Sequence, residues 1–397
     1  MSGRQVNVVG PQAFNFTKTP SIYFGAGVFS ILPKVISRLG TTVLIVTGGS
    51  SLKKTGRLDT LLNSLGKDGI KCYLCQITRE PSPEMVDAAV SEFGGCGIDA
   101  VVGIGGGSVI DGAKAISAML PLGESVLKYL EGVGDPAAHS GRKIPFAAVP
   151  TTSGTGSEAT KNAVLSRVGP EGFKKSLRHD NFVPDIALID PELTLSCPPD
   201  VAAACAMDAF TQLMESYVSV KASPMTDSLA IGALRLAIEN MEAACMTGEA
   251  NIHAKSAMAY ASAMSGITLA NAGLGVVHGL ASSVGGRFDI PHGVICGTMA
   301  GAATRANIAA LRAAGSAAIE KYAAIGSLIT GEKAIDPALD ALTEKLYSWT
   351  EQLKMRRLCA YGIKLEDLDR LAAETSNKES HVRLSKEEIR SILFERL

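Results

Sequence analysis

The sequence AVVGIGGGSVID, residues 100 to 111, is the strongest indication of the fold, because it predicts a strand, a glycine turn and the start of a helix. Its opening run is apolar without alternation, which is typical of a strand covered on both faces. Gly105, Gly106 and Gly107 follow, and a helix is expected to begin near Ser108. This order predicts a βαβ unit within a parallel sheet.

Apolar runs on both sides of this stretch predict further strands of the same sheet. They are TVLIVT at 42–47, YLCQI at 73–77, PFAAVP at 145–150 and IALID at 186–190. Ser82 and Pro83 predict a capped helix between two of these runs, ending near Gly94. Ser385 predicts the cap of a terminal helix.

The length and a change in composition predict two domains. A chain of 397 residues is long for one core. Pro198 and Pro199 precede a region rich in alanine, leucine and methionine, which favours helices. We expect an α/β dinucleotide-binding domain with a parallel sheet over residues 1–197, and an all-α domain that binds metal and substrate over residues 198–397.

Charge and hydropathy exclude several classes of partner. The net charge is −1, and no segment gathers the lysine and arginine that a nucleic acid would require. No uninterrupted apolar run is long enough to cross a bilayer, and the first residues do not resemble a secretory leader. The eight cysteines are scattered rather than framing loops. We expect a cytoplasmic protein with no membrane or nucleic-acid partner.

Two loops are candidates for holding a dinucleotide. At Gly105–Gly107, backbone amides and the positive end of a helix could meet a pyrophosphate, although three glycines also suit a tight packing turn. PTTSGTGSEAT, residues 150 to 160, is dense in hydroxyls that suit ribose and phosphate oxygens. The alternative for this second loop is a capping turn, with Ser157 as the cap of a helix and Glu158 in its first turn.

A third pattern predicts a metal site. The segment VVHGLASSVGGRFDIPHGVICG, residues 276 to 297, contains His278 and His292, and the helical AMDAFTQLMES upstream contains Asp208 and, one turn later, Gln212. Two imidazoles and a carboxylate suit a first-row transition metal. Either histidine alone could be an ordinary core residue, but a carboxylate within an apolar run is costly to bury without a counter-ion. We expect one catalytic metal beside a dinucleotide, which is dehydrogenase chemistry.

Taken together, these pieces resemble the iron-containing (group III) alcohol dehydrogenases, a family that also contains glycerol dehydrogenase and dehydroquinate synthase. GGGSVID, PTTSGTGSEAT, DAFTQ, HGLASSVGG and IPHG occur in the family's order over essentially the whole length. The resemblance implies a dehydroquinate synthase-like fold with the metal between its domains. It also implies that the cofactor is held by Gly105, Gly106, Gly107, Ser108, Asp111, Thr151, Thr152, Thr155, Ser157 and Lys174.

The chain departs from this family at two positions. The family's usual metal ligands are one aspartate and three histidines, and Gln212 stands in the place of the first histidine. We therefore expect Asp208, Gln212, His278 and His292 to bind Fe²⁺ or Zn²⁺. Ser282 stands where many members have a further histidine, so Ser282, water or the cofactor ribose must relay the proton. The expected catalytic residues are Asp208, His278, His292 and Ser282.

The segment after the first predicted strand bears on cofactor choice. Family members that prefer NAD carry an aspartate there, whereas this chain has GGSSLKK at 48–54. Gly48, Ser50 and Ser51, with two lysines nearby, favour a ribose 2′-phosphate and hence NADP over NAD. The alternative is a capped helix start with a solvated basic face.

These observations predict a metal-dependent, NAD(P)-linked dehydrogenase that interconverts small primary alcohols or diols and their aldehydes. A homodimer or larger assembly is expected from the resemblance. One alternative is a lyase like dehydroquinate synthase that uses NAD transiently, but around the metal motif only Arg287 is available for a polyanionic substrate. The other alternative is a metal-poor nucleotide-binding relative, which Gln212 leaves open.

Overall fold

The computed structural model describes residues 13–246 and 251–397. A six-stranded parallel sheet and a two-stranded antiparallel sheet form the first half of the chain. The strands are β1 (Ser21–Phe24), β2 (Thr42–Thr47), β3 (Lys71–Gln76), β4 (Ala100–Gly105), β5 (Phe146–Pro150), β6 (Asn162–Arg167), β7 (Phe173–Arg178) and β8 (Ile186–Ile189).

Helices alternate with the strands in the first half of the chain, and the described part of the second half contains helices without strands. Among the strands lie α1 (Leu32–Ile36), α2 (Ser51–Lys54), α3 (Arg57–Lys67), α4 (Pro83–Phe93) and α5 (Gly107–Met119). From Pro199 onward, the described residues form helices and no strand: α6 (Pro199–Tyr217), α7 (Pro224–Cys245), α8 (Ile252–Ala272), α9 (Val276–Arg287), α10 (His292–Ala313), α11 (Ile319–Thr330), α12 (Ile335–Gln352), α13 (Leu368–Glu374) and α14 (Lys386–Glu395). The predicted fold class is confirmed.

Burial on both faces of the large sheet explains the continuous apolar runs. Val43 and Ile45 of β2 pack with α1 and α3 on one face, whereas Leu44 and Val46 pack with α4 and α5 on the other. The predicted strand at 42–47 therefore coincides with β2. The predicted cap is also confirmed, because the Ser82 hydroxyl accepts a hydrogen bond from the backbone N–H of Met85.

The order of the strands fixes where a ligand can bind. It is β1-β8-β5-β4-β2-β3, so the chain leaves β2 toward one edge and, after crossing back to β4, proceeds toward the other. In parallel sheets, ligands bind in the crevice outside the carboxyl ends of the strands at such a reversal. Gly48 follows β2 there, and Gly106 follows β4. The fold thus brings two of the predicted cofactor segments to neighbouring strand ends.

The helical half contains all four predicted metal ligands, with Asp208 and Gln212 on α6, His278 on α9 and His292 on α10. Helix α6 lies against α7, α8 and α10, with Phe210 and Leu213 fully buried.

Among the described residues, α10 is long and apolar enough by composition to cross a membrane. Helices α8 and α9 also meet this criterion when they are taken together, but the pair is bent by 98°. Because 72% of the tested window of α10 is buried inside the protein, α10 is packed as a core helix.

Candidate metal centre and cofactor cleft

A cleft of about 1090 Å³ opens where the helical half faces the carboxyl ends of the strands. Its walls include the turn after β4 and the hydroxyl-rich loop after β5 on one side, and α6, α9 and the start of α10 on the other. Asp208, His278 and His292 all line it. The predicted cofactor loops and the predicted metal ligands therefore share one cavity.

Four side chains converge at one point of this cleft. Ligand atoms of Asp208, His278, His292 and Cys296 all lie within 4.8 Å of one another. Asp208 Oδ1 is 3.3 Å from Nε2 of His278 and 3.6 Å from Nε2 of His292. The Cys296 Sγ lies 3.6 Å and 3.7 Å from the same two nitrogens. The structure brings together three of the four predicted ligands and adds a thiol.

The unmet hydrogen-bonding capacity of this cluster fits a cation. Among the residues that the structure describes, Asp208 Oδ1 and His292 Nδ1 are buried without a hydrogen-bond partner. Asp208 is only 1% exposed, and burying a carboxylate oxygen without a hydrogen bond is costly. Burial by itself would raise the pKa of Asp208, but His292 and His278 hold it below its usual value. A buried carboxylate among imidazoles suits a divalent transition metal.

Glu215 orients the His278 ring from behind. Its Oε2 lies 2.7 Å from His278 Nδ1, and its carboxylate accepts hydrogen bonds from the backbone N–H groups of Gly275 and Val277 at the start of α9. A carboxylate on the far nitrogen fixes the tautomer and leaves Nε2 for a metal. The sequence carried this signal, since Glu215 lies two helical turns after Asp208 on the same face of α6.

Gln212 and Ser282 line the cleft, but each has a partner of its own. The Gln212 side-chain oxygen accepts a hydrogen bond from the Ser265 hydroxyl at 2.8 Å. The Ser282 hydroxyl donates to the backbone carbonyl of His278 at 2.8 Å. Metal ligation by Gln212 and proton relay by Ser282 remain predictions.

Cys296 is the member of the cluster that sequence reasoning missed. It lies one helical turn after His292 on α10, and positions four apart on a helix are neighbours. It is fully buried, and burial raises the pKa of its thiol to about 11. The four-residue spacing between His292 and Cys296 in HGVIC could have indicated that both side chains lie on one face of a helix, but only if the helix were known to start at His292.

The glycine turn after β4 serves packing and also exposes backbone amides. Gly106 is the N-cap residue of α5, and Gly107 is its first residue. A Cβ added at Gly107 would lie 2.6 Å from Thr155, and one added at Gly105 would lie 2.5 Å from Val109. The two predicted cofactor loops are therefore in close contact, so the tight-turn and phosphate-binding interpretations of this stretch are compatible.

The remaining predicted cofactor residues fall into two groups. Those that line the cleft are Gly106, Gly107, Ser108, Asp111, Thr152, Thr155, Ser157 and Lys174. Those outside its lining are Gly48, Ser50, Ser51, Gly105 and Thr151, of which Thr151 donates its N–H to the Gly105 carbonyl. Roles in binding for both groups remain predictions.

The surroundings of three of these residues differ from expectation. Ser157 does not cap a helix, because it begins a short 3₁₀ turn whose N-cap is Gly156, and that turn has no side-chain cap. Lys174 lies on β7, which was not predicted, and forms an ion pair with Glu80 at 2.9 Å. Ser50 precedes α2 without a side-chain capping bond, so the capped-helix alternative lacks its cap.

Comparison with known proteins agrees with this arrangement of loops and ligands. Residues 19–191 match the family described as iron-containing alcohol dehydrogenase, and residues 202–396 match the C-terminal region of the Fe-containing alcohol dehydrogenase family. The two matches leave only short segments of the chain uncovered.

Individual relatives agree with the family match. Long-chain-alcohol dehydrogenase 1 of Geobacillus thermodenitrificans is 37% identical, with 69% of this chain and 68% of the relative covered. An NADPH-dependent butanol dehydrogenase of Clostridium saccharobutylicum is 34% identical, with 70% of each covered. The crystal structure of a 1,3-propanediol oxidoreductase has a TM-score of 0.85 at 29% identity, covering 97% of this chain and 100% of that one. The chain therefore belongs to the iron-containing alcohol dehydrogenase family.

Proposed function

We propose that this enzyme interconverts small primary alcohols or diols and their aldehydes in the cleft, using one divalent metal and NADP or NAD. The observation that carries the proposal is the convergence of Asp208, His278 and His292 in the same cavity as the glycine turn and the hydroxyl-rich loop. The names of relatives that act on butanol and 1,3-propanediol support this substrate class.

Each part of the cleft has a chemical task in this proposal. A metal held by Asp208, His278 and His292 would supply a Lewis acid for the alcohol or carbonyl oxygen. Glu215 keeps the His278 ring in position, and the amides after β4 lie at a helix N-terminus that suits a pyrophosphate. Ser282 is half-buried in the cleft wall, where its hydroxyl could pass a proton toward solvent.

The family match and the cluster weaken both alternatives. A transient-NAD lyase would leave the nicotinamide unchanged at the end of each turnover, and Arg287, its candidate cation, instead binds Glu374. A metal-poor relative would not need four ligand groups, three of them buried, around one point. Both alternatives give outcomes that the activity assay separates.

The test is the nicotinamide absorbance with short-chain alcohols, diols and aldehydes, measured with Fe²⁺ or Zn²⁺ added to metal-free protein. We expect net reduction or oxidation of the cofactor that depends on metal, and loss of both metal and turnover in Asp208→Asn. Turnover of a substrate without net absorbance change would favour the lyase. Absence of bound metal and of activity would overturn the proposal.

For the cofactor, we propose a preference for NADPH. The segment after β2 lies at the strand reversal, and it offers Ser50 and Ser51 with the exposed Lys53 and Lys54 instead of an acidic side chain. An aspartate there would repel a 2′-phosphate and accept hydrogen bonds from a ribose. Reduction rates should favour NADPH over NADH, and Ser51→Asp should reverse the ratio. A wild-type preference for NADH would refute this assignment.

We also propose a cytoplasmic homodimer or larger assembly, with domains at residues 1–197 and 198–397. Strand β1 is an edge of the large sheet, and its Ile22 and Phe24 are 39% and 40% exposed. An open edge with apolar side chains favours pairing with a second copy. Light scattering should give at least twice the chain mass of 41.3 kDa, and Ile22→Lys should reduce it. A monomer at micromolar concentration would contradict the proposal.

A further inference from the structure

The thiol of Cys296 has the position of a ligand in the metal cluster. Tetrahedral zinc has bonds of ~2.3 Å to sulfur and ~2.0–2.1 Å to nitrogen or oxygen, which puts ligand atoms roughly 3.5 Å apart. The Cys296 Sγ is 3.6 Å and 3.7 Å from the two imidazole Nε2 atoms, and Asp208 Oδ1 is 3.3 Å and 3.6 Å from the same atoms. Four of the six distances between donor atoms therefore match a tetrahedral site, and all six lie within 4.8 Å.

Gln212 is the weaker candidate for the fourth position. It is a neutral donor, and its side-chain oxygen already accepts a hydrogen bond from Ser265 of α8. Helix α6 has Gln212 where the family usually has a histidine, so it provides no imidazole for the metal. Helix α10 instead provides the Cys296 thiol at the same cluster. The exchange keeps four protein ligands around the metal, and the substrate oxygen would bind as a fifth ligand.

We propose that Cys296 is the fourth protein ligand of the metal in place of Gln212, and that the resulting Asp, His, His, Cys set binds Zn²⁺ in preference to Fe²⁺. This inference rests on the proposed function, because it assigns a ligand within the same site.

The chemistry of the donor set supports this preference. On binding, the thiol gives its proton to solvent, and the sulfur donates an electron pair to the metal as a thiolate. The carboxylate and the thiolate then neutralise a divalent ion, with two neutral imidazoles completing the set. Thiolate is a soft ligand that favours zinc, and Zn²⁺ already binds more tightly than Fe²⁺ in the Irving–Williams order.

Cobalt substitution tests the ligand directly, without relying on turnover. Protein loaded with Co²⁺ should show a thiolate-to-cobalt charge-transfer band in the near ultraviolet, together with the visible bands of a four-coordinate ion. Cys296→Ser should lose the charge-transfer band. The matched control is Cys205→Ser, because Cys205 lines the same cleft on α6 but is not part of the cluster, and it should keep the band.

The outcomes separate this inference from the proposed function. Visible cobalt bands without a charge-transfer band in the wild type, or a band that survives Cys296→Ser, would overturn ligation by Cys296 and leave the metal site intact. No cobalt spectrum at all would overturn the metal site itself. If Cys296→Ser does not fold, X-ray absorption of the wild-type zinc protein decides, since one sulfur neighbour at ~2.3 Å is expected and none would refute the inference.

Competition between metals tests the preference and the role of Gln212. Under anaerobic conditions with equal Zn²⁺ and Fe²⁺, the wild type should retain zinc. Cys296→Ser should lower the zinc affinity by more than the roughly tenfold that loss of an outer-shell partner costs. Gln212→Ala should retain zinc, and Gln212→His should restore binding in the Cys296→Ser background. Equal loss of zinc in Gln212→Ala and Cys296→Ser, or retention of iron by the wild type, would contradict the proposal.

Discussion

At the scale of single residues, Glu215 is the side chain on which the metal site most depends without ligating the metal. It is 3% exposed and links α6 to the start of α9 through hydrogen bonds to His278 Nδ1 and to two backbone N–H groups. In Glu215→Gln, the amide N–H₂ would face one of these donors. We expect metal affinity to fall by roughly 10–100-fold, as for other outer-shell partners.

Metal content after dialysis against graded chelator concentrations measures this loss. The control is Glu239→Gln, since Glu239 is an exposed residue of α7 that lies outside the cluster. Unchanged metal retention in Glu215→Gln would mean that the packing of α9 alone fixes the His278 ring.

The buried carboxyl group of Glu158 should make the stability of the protein depend on pH. It is 2% exposed, and burial raises its pKa to about 7, although Lys114 opposes the shift. A carboxyl group whose pKa is higher in the folded state than in the unfolded state contributes its full stabilisation when the pH is below its unfolded-state pKa. This contribution is lost as the pH rises through its folded-state pKa. Unfolding free energy should therefore decline between about pH 4.5 and 7, by roughly 3 kcal/mol at 1.36 kcal/mol per pH unit.

Denaturant unfolding of wild type and Glu158→Gln across this range checks the prediction. The variant cannot ionise at this position, so its stability should decline less over the same interval. Parallel pH profiles for the two proteins would show that Glu158 is not the titrating group.

At the scale of elements, the contact between the β4–α5 turn and the loop after β5 shapes the cofactor site. In Gly107→Ala the new methyl group would lie 2.6 Å from Thr155, so one loop must move. Strain of about 1–3 kcal/mol is typical of such overpacking. We expect dinucleotide affinity to fall by roughly tenfold, because each 1.4 kcal/mol is one factor of ten.

Fluorescence titration of the reduced dinucleotide measures this change. Gly66→Ala is a matched control, because Gly66 lies inside α3 and no atom outside its own helix backbone comes within 4 Å of an added Cβ. Equal affinities of Gly107→Ala and wild type would show that the loop contact does not position the cofactor.

At the scale of the whole molecule, the four members of the cluster come from α6, α9 and α10, and the sheet contributes none of them. A metal that binds only the folded state adds stability of about 2.7 kcal/mol when it is present at 100 times its Kd. Removal of the metal should lower the melting temperature and speed amide exchange in α9 and α10 more than in β2, β4 and β5. Asp208→Asn should abolish the metal-dependent difference, and exchange that changes equally everywhere would contradict this account.

The fold class could be predicted from the sequence, and so could three members of the cluster. Continuous apolar runs predicted β2, β4, β5 and β8, because strands buried on both faces leave that pattern. Strands β1, β6 and β7 were missed, because β1 is short and largely exposed, the β6–β7 hairpin is partly exposed and FKKSLR resembles a polar loop. Asp208, His278 and His292 were identified by residue type and spacing, before their distances were known.

The surroundings of these residues depend on how the helices pack, which the sequence pattern does not reveal. The sequence predicted Gln212 as a ligand because it lies one turn after Asp208, but spacing along one helix does not reveal that Ser265 of α8 engages its oxygen. Nor does it show that Cys296 faces two imidazoles, one of them on another helix. Local sequence determines which residues share a face of an element, whereas the packing of α6, α8, α9 and α10 determines which faces meet.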